Sequence, residues 1–243
     1  MVKRAIKYVL QSFVRALGLE HELVLAFSQT ESALRREAQR GTCVRTIIDV
    51  GASNGVWSRS ATRVWPEADV LLVEANPVHE RALKSTVSEH DNWQYVLAAA
   101  SSAPGEIRFD ASDPLGGVAR QDLPEGASVH VVPAVTLDDE IERRGLRPPY
   151  LIKLDTHGVE IDILQGAGRA IESASILVIE AYNFKLGADA PRFWELCHFL
   201  ECKGFFPIDL TEPLWRPYDG ALWQFDLIFV PSTRKEFDHR SYV

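Results

Sequence analysis

Short apolar runs alternate with segments of helical periodicity over most of this chain. The four clearest runs each carry an acidic residue at or near their end, and they cover residues 44–50, 70–74, 150–155 and 176–180. These runs are apolar at consecutive positions, so both of their faces must be buried. Runs of this kind, separated by helices, are typical of a parallel sheet that is covered by helices on both sides. The pattern therefore predicts an α/β fold with a Rossmann-like, mostly parallel sheet.

Two further apolar runs near the C-terminal end, residues 205–210 and 223–230, have no convincing helix between them. We therefore expect these two strands to pair antiparallel. Residues 101–130 break the alternation because they are rich in glycine and proline. We predict one exposed strand at 105–110 and another strand at 129–135. The rest of the segment is predicted to be irregular and either to cover a binding site or to be mobile.

The N-terminal residues show a different, strictly helical pattern. Apolar side chains recur at helical spacing in residues 3–17, at Ile6, Val9, Leu10, Phe13, Val14 and Leu17. The opposite face is basic, and a second helix is predicted from about residue 20 to residue 40. We predict residues 1–42 as an N-terminal helical extension and residues 43–243 as the main domain. The first helix is interpreted as a dimer contact or a cap on the main domain, with peripheral binding to an anionic membrane as the alternative.

Composition and charge narrow the class of protein. The 243 residues fit one large α/β domain, and the net charge of −8 argues against nucleic acid as a partner. Three cysteines are a sparse, odd set that indicates a reducing compartment. No apolar run reaches the ~20 residues of a membrane span. We expect a cytoplasmic protein, located at the inner face of the membrane if the first helix binds lipid.

The first apolar run ends in a glycine turn that is suited to a small-molecule cofactor. Glycine lets a ligand approach the backbone closely, and the helix that follows directs free N–H groups towards it. The predicted cofactor-binding residues of this turn are Asp49, Gly51, Ala52, Ser53, Asn54 and Gly55. After the second run, an acid is placed to accept hydrogen bonds from a ribose diol. The residues predicted there are Glu74, Ala75 and Asn76.

The spacing and charge of this turn decide between nucleoside cofactors. Its glycines are spaced G-x-x-x-G, whereas dinucleotide-binding proteins carry G-x-G-x-x-G. Asp49 precedes the first glycine and is unfavourable for a pyrophosphate. An acid suits the sulfonium and ammonium groups of S-adenosylmethionine, which is the predicted cofactor. The alternative is that Gly51 and Gly55 serve packing alone.

A dense polar cluster follows the strand predicted at 150–155. It contains the four residues that we predict as catalytic: Lys153, Asp155, His157 and Glu160. The carboxyl ends of parallel strands meet at one edge of a sheet, so this cluster should lie near the glycine turn. A small-molecule or glycan acceptor is expected between them.

Four segments in succession resemble the motifs of the FkbM-type S-adenosylmethionine-dependent methyltransferases. They are Ile-Asp-Val-Gly-Ala-Ser-Asn-Gly at 48–55, Val-Glu-Ala-Asn-Pro at 73–77, Val-Thr-Leu-Asp-Asp at 135–139, and the run from 152 to 167. The resemblance covers roughly residues 44–230 and implies a seven-stranded methyltransferase sheet with the last strand antiparallel. It also implies O-methylation of a hydroxyl on a sugar, glycolipid or secondary metabolite. One departure is His157, which stands where the family commonly has a carboxylate or an amide.

The chemistry of the reaction leaves two roles for the polar cluster. A hydroxyl loses its proton as it attacks the methyl group, and histidine is suited to accept that proton near neutral pH. His157 is the first candidate for the base, with Asp155 or Glu160 orienting it. The alternative is that His157 only forms a hydrogen bond at the end of the strand. The less favoured alternative is a divalent metal held by Asp155, Glu160 and Glu180. An ion pair between Lys153 and Glu160 would account for part of the cluster without a metal.

Two other functions are compatible with the sequence. One is an oxidoreductase that uses NAD or a nucleotide sugar, although the missing G-x-G-x-x-G counts against it. The other is a non-catalytic, cofactor-binding scaffold whose partner surface is the N-terminal extension.

Overall fold

The computed structural model describes residues 30–113, 116–126 and 128–242. The helix predicted at residues 3–17 lies outside these residues, so its dimer or membrane contact stays a prediction. Of the predicted extension, the structure describes a helix from Thr30 to Gln39. Within the described part of the chain, every helix is too short or too polar to cross a lipid bilayer.

The described residues form eleven strands and seven α-helices. The strands are β1 Thr46–Val50, β2 Asp69–Glu74, β3 Trp93–Leu97, β4 Ala99–Ala100, β5 Gly105–Asp110, β6 Val118–Ala119, β7 Val129–Val135, β8 Tyr150–Leu154, β9 Ala174–Tyr182, β10 Phe205–Trp215 and β11 Leu222–Pro231. The helices are α1 Thr30–Gln39, α2 Val56–Thr62, α3 Glu80–Ser88, α4 Leu137–Arg144, α5 Glu160–Gln165, α6 Gly168–Glu172 and α7 Phe193–Cys202.

The main sheet has seven strands in the order β10-β11-β9-β8-β1-β2-β3. Strands β3, β2, β1, β8 and β9 are parallel. Strand β11 runs antiparallel to both of its neighbours, β9 and β10. The predicted α/β class, the mostly parallel sheet and the antiparallel pairing of the last two strands are therefore confirmed.

The central strands are apolar throughout because both faces of the sheet are covered. Ile48 and Ile152 face a core that also contains Leu164 and Leu196 from the helices on that side. Their neighbours along the strands face the opposite core, which contains Leu34 of α1 and Leu83 of α3. Side chains alternate between the two faces of a strand, so a strand buried on both sides needs apolar residues at successive positions.

The segment predicted as mostly irregular contains a second sheet, in the order β4-β7-β5-β6. The strands expected at 105–110 and 129–135 are present, and they pair antiparallel. Their packing into a four-stranded sheet around Ile107, Phe109 and Ala134 goes beyond the prediction. The reason is that β4 and β6 are two residues each, too short to give a period-2 signal.

Strand β10 is longer than predicted because it continues from residue 210 to Trp215. Its far half contains Glu212 at φ +49° and irregular register against β11. Proline and a residue with positive φ interrupt the alternation that marks a regular strand, so the sequence indicated a loop here.

Candidate active site

A cavity of about 310 Å³ opens at the carboxyl ends of β1, β2 and β8. Eight residues singled out from the sequence line it: Gly51, Ser53, Glu74, Ala75, Asn76, Asp155, His157 and Glu180. The strand order reverses direction between β1 and β8, and ligands of open α/β sheets bind at such a switch point. Six other predicted residues lie behind or beside the wall: Asp49, Ala52, Asn54, Gly55, Lys153 and Glu160.

The glycine turn after β1 passes very close to the end of β8. Gly51 has φ +75°, and a Cβ atom there would lie 2.0 Å from the carbonyl oxygen of Asp155. The backbone N–H groups of Gly51 and Ala52 donate to the carbonyl of Val73 at 3.0 and 3.2 Å. Residue 51 must therefore lack a side chain for two reasons, its left-handed conformation and the approach of Asp155.

Asn54 and Gly55 serve the start of α2. Asn54 Oδ1 accepts a hydrogen bond from the backbone N–H of Val56 at 3.2 Å, and the Asn54 carbonyl accepts one from Thr86 Oγ1. Gly55 has φ +77° at the N-cap position. The structure thus gives these two residues a role in shaping the turn.

Glu74 joins the two loops that border the cavity. Its Oε2 accepts a hydrogen bond from the backbone N–H of Ser53, and its Oε1 accepts one from the backbone N–H of Asn76, both at 2.7 Å. A carboxylate has about four lone-pair sites, so each oxygen keeps one that can accept from a ligand hydroxyl. Glu74 is 6% exposed and faces the cavity.

Below the cavity floor, Lys153 is held between two carboxylates. Its Nζ lies 3.4 Å from Asp49 Oδ1 and 3.0 Å from Asp155 Oδ2. Asp49 is fully buried, and its other oxygen, Oδ2, accepts a hydrogen bond from Ser58 Oγ at 2.7 Å. Burial alone would lower the pKa of Lys153, but the charges of Asp49 and Asp155 outweigh it and raise that pKa. The alternative prediction of an ion pair between Lys153 and Glu160 is wrong, because Lys153 pairs with Asp49 and Asp155.

Asp155, His157 and Glu180 converge in the cavity. Nε2 of His157 lies 3.9 Å from Asp155 Oδ1 and 3.9 Å from Glu180 Oε2. One ligand atom from each of the three residues lies within 4.8 Å of the others. Of the three residues predicted as metal ligands, Asp155 and Glu180 belong to this group, whereas Glu160 does not. The third member of the group is His157.

The two carboxyl groups of this cluster have opposite protonation tendencies. Burial, aided by the negative charge of Asp155, raises the pKa of Glu180 to about 9. Burial alone would also raise the pKa of Asp155, but the charge of Lys153 outweighs it and holds that pKa below its ordinary value. At neutral pH Asp155 is therefore ionised and Glu180 carries a proton. Glu180 also accepts hydrogen bonds from the hydroxyl of Tyr182 and the side-chain amide of Gln224.

His157 sits on a strained turn between β8 and α5. It has φ +59°, and Gly158 has φ +103°. A non-glycine residue in the left-handed region costs about 1–2 kcal/mol, and strain of this kind is concentrated at functional sites. The ring nitrogen Nδ1 of His157 is buried and has no hydrogen-bond partner among the described residues.

Glu160 stabilises this turn through hydrogen bonds. Its Oε1 accepts a hydrogen bond from the backbone N–H of Gly158 at 2.9 Å and another from Thr156 Oγ1 at 3.2 Å. It is 2% exposed, and burial raises its pKa above the ordinary value. Glu160 is thus placed to position His157 through the backbone of the turn.

Several residues of the cavity wall were missed by sequence reasoning. Phe109 and Ala119 reach it from the second sheet, and Gln224 reaches it from β11. The run of small residues at 98–100 completes the wall and was the one available signal. Gln224 belongs to a distant part of the chain, so no local pattern could have indicated it.

A mixed seven-stranded sheet, with a glycine turn and a cavity at its switch point, defines the class of the protein as an α/β protein with a small-molecule-sized pocket at the carboxyl ends of its parallel strands. The sequence pattern of the FkbM methyltransferase domain matches residues 49–207, which is more than half of the chain. The chain therefore belongs to the FkbM methyltransferase family. This confirms the resemblance found in the sequence.

Individual similarities are shorter or more distant. Methyltransferase str2 of Strobilurus tenacellus is 37% identical over 43 residues, which are 18% of this chain and 16% of that protein. The chain thus matches about a sixth of that relative's length. The crystal structure of an FkbM methyltransferase from Methylobacillus flagellatus is 17% identical in sequence and matches with a TM-score of 0.49. The match covers 76% of this chain and 43% of the Methylobacillus chain.

Proposed function

We propose that the protein is an S-adenosylmethionine-dependent O-methyltransferase that acts on a hydroxyl of a sugar, glycolipid or secondary metabolite. The observation that carries the proposal is the cavity at the switch point of a methyltransferase-family sheet, with Glu74 at one side and Asp155 and His157 at the other. The family membership favours methyl transfer over the oxidoreductase alternative.

The residues of the cavity fit this cofactor. Glu74 offers free lone pairs to a ribose diol, and Ala75, Ala99 and Phe109 offer an apolar wall to a flat base. The negative charge of Asp155 suits the cationic groups of the cofactor. The volume of about 310 Å³ lies at the lower end of the range for small-molecule sites.

When bound, the cofactor supplies a methyl group on a sulfonium, and the protein positions the hydroxyl that receives it. His157 Nε2 takes the proton of that hydroxyl, and the resulting imidazolium is stabilised by Asp155 at 3.9 Å. Lys153 keeps Asp155 ionised for this role. Glu160 fixes the backbone turn that carries the imidazole.

A second mechanism is favoured by one observation, the group of Asp155, His157 and Glu180 within 4.8 Å. A divalent cation held there would bind the acceptor oxygen and lower its pKa. Dialysis against EDTA separates the two mechanisms. We expect turnover to persist after dialysis, and a loss that is restored by adding Mg²⁺ or Mn²⁺ would replace the histidine mechanism by the metal one.

The proposed cofactor is tested by isothermal titration of the protein with S-adenosylmethionine and, separately, with NAD. We expect binding of S-adenosylmethionine and none of NAD. Binding of NAD alone would overturn the proposal. Binding of S-adenosylmethionine without methyl transfer to any glycan or metabolite fraction would instead favour the non-catalytic scaffold.

A further inference from the structure

A second, larger cavity adjoins the first. It has a volume of about 630 Å³ and lies between the second sheet and the loop before α7. Three residues line both cavities, namely Ala119, His157 and Val159. His157 therefore stands where the two cavities meet, which is the place that a proton acceptor between methyl donor and acceptor would occupy.

This second cavity is a groove, and residues on its two sides contact each other. A Cβ atom on Gly187 would lie 2.3 Å from Nη1 of Arg120, so the guanidinium from the second sheet rests against the backbone of the opposite loop. Ala190 of the same loop lies against the turn that carries His157, since a Cβ atom on Gly158 of that turn would lie 2.8 Å from the Cβ of Ala190. The loop thus packs directly on the turn that carries His157.

The charged side chains that line the groove are mostly acidic. The four acidic residues are Glu106, Asp122, Asp162 and Asp189, and the basic residue is Arg120. Arg120 is already bound by both oxygens of Asp122, at 2.9 and 2.6 Å. The remaining acids leave the groove with a net negative charge, and an anionic molecule that entered it would meet like charges.

The rest of the lining is suited to a molecule with hydroxyl groups and apolar patches. Ionised carboxylates act solely as hydrogen-bond acceptors, and hydroxyls are donors to them. Ile107, Val118 and Leu186 supply apolar surface in the same groove. Sugars present both kinds of surface.

We propose that this groove is the acceptor site and that it takes a polyhydroxylated acceptor without negative charge, such as a neutral or amino sugar. The proposal rests on the proposed function and specifies its substrate class. Phosphorylated and carboxylated acceptors are excluded by the acids of the groove.

The test uses methyl-tritiated S-adenosylmethionine as the probe, with the full chain and a glycan and metabolite extract of the source cells. The labelled products are passed over an anion exchanger at neutral pH. We expect the label in the unretained fraction. Label in the retained fraction would overturn the acceptor class, whereas no labelled product at all would contradict the proposed function itself and the inference with it.

The position of the acceptor is tested with a variant that fills the groove. Gln165, the last residue of α5, lines the groove but not the first cavity. Gln165→Trp therefore narrows the groove and leaves the first cavity unchanged. The matched control is Glu172→Trp at the last residue of α6, which lines neither cavity. We expect at least about a tenfold loss of labelled product for Gln165→Trp, with unchanged affinity for S-adenosylmethionine by titration and normal activity of the control. Normal product formation by Gln165→Trp would place the acceptor elsewhere.

Discussion

The close approach of the glycine turn to β8 gives a quantitative prediction for Gly51→Ala. A Cβ atom at residue 51 would lie 2.0 Å from the carbonyl oxygen and 3.0 Å from the carbonyl carbon of Asp155. The left-handed φ of +75° adds about 1–2 kcal/mol of strain for alanine. Overpacking adds about 1–3 kcal/mol because the obstacle is backbone and cannot swing aside. We therefore expect the free energy of unfolding to fall by about 2–5 kcal/mol.

The comparison with Gly220→Ala separates the clash from the strain. Gly220 has φ +71°, almost the same as Gly51, but a Cβ atom there would have no heavy atom within 4 Å. Urea unfolding of the two variants should differ by about 1–3 kcal/mol, which corresponds to about 2–12 °C in Tm for a chain of this size. Gly51→Ala should also weaken S-adenosylmethionine binding, since Asp155 must move. Equal stabilities of the two variants would refute the close approach on which the site geometry rests.

Three further perturbations have defined outcomes. His157→Asn keeps a residue that tolerates positive φ, so its Tm and cofactor affinity should match the wild type while methyl transfer falls by about 10²–10⁴-fold, and unchanged turnover would remove His157 as the base. Glu74→Ala removes the acceptor for two backbone N–H groups and for the ribose, so the dissociation constant of S-adenosylmethionine measured by titration should rise by about 10–100-fold, and an unchanged constant would remove Glu74 from the site. Burial raises the pKa of Asp226 to about 7. The unfolded chain gives up this proton at lower pH than the folded one, so the wild type should lose stability relative to Asp226→Asn as pH rises from about 4 to about 7. Parallel Tm profiles of the two proteins over this pH range would contradict the raised pKa.

The sequence predicted the framework of the site because that framework is encoded locally. Gly51 and Asp155 directly follow buried strands, and Glu74 is the last residue of another. Parallel strands bring their carboxyl ends to one edge of the sheet. Asp49 shows the limit of this reasoning. Its position before the glycine suggested a ligand contact, but the structure turns its side chain towards Ser58 and Lys153, away from the cavity wall.

The parts of the site that arise from long-range packing were not predictable from local patterns. Gln224 reaches Glu180 through the pairing of β11 with β9, across 44 positions of the chain. The second sheet forms from two strands with clear alternation and two short ones that have none. The groove beside His157 depends on the packing of that sheet against the loop before α7, which no spacing of residues in the sequence encodes.

The central claim is that this protein transfers a methyl group from S-adenosylmethionine to an oxygen atom. The most direct measurement is to incubate the full chain with ¹³C-methyl-labelled S-adenosylmethionine and the extract, and to determine by NMR which atom of the product carries the label. We predict a labelled methyl ether that forms with the wild type and forms about 10²–10⁴-fold more slowly with His157→Asn. A label on nitrogen or carbon, or a methyl ether that forms equally well with the variant, would contradict the account.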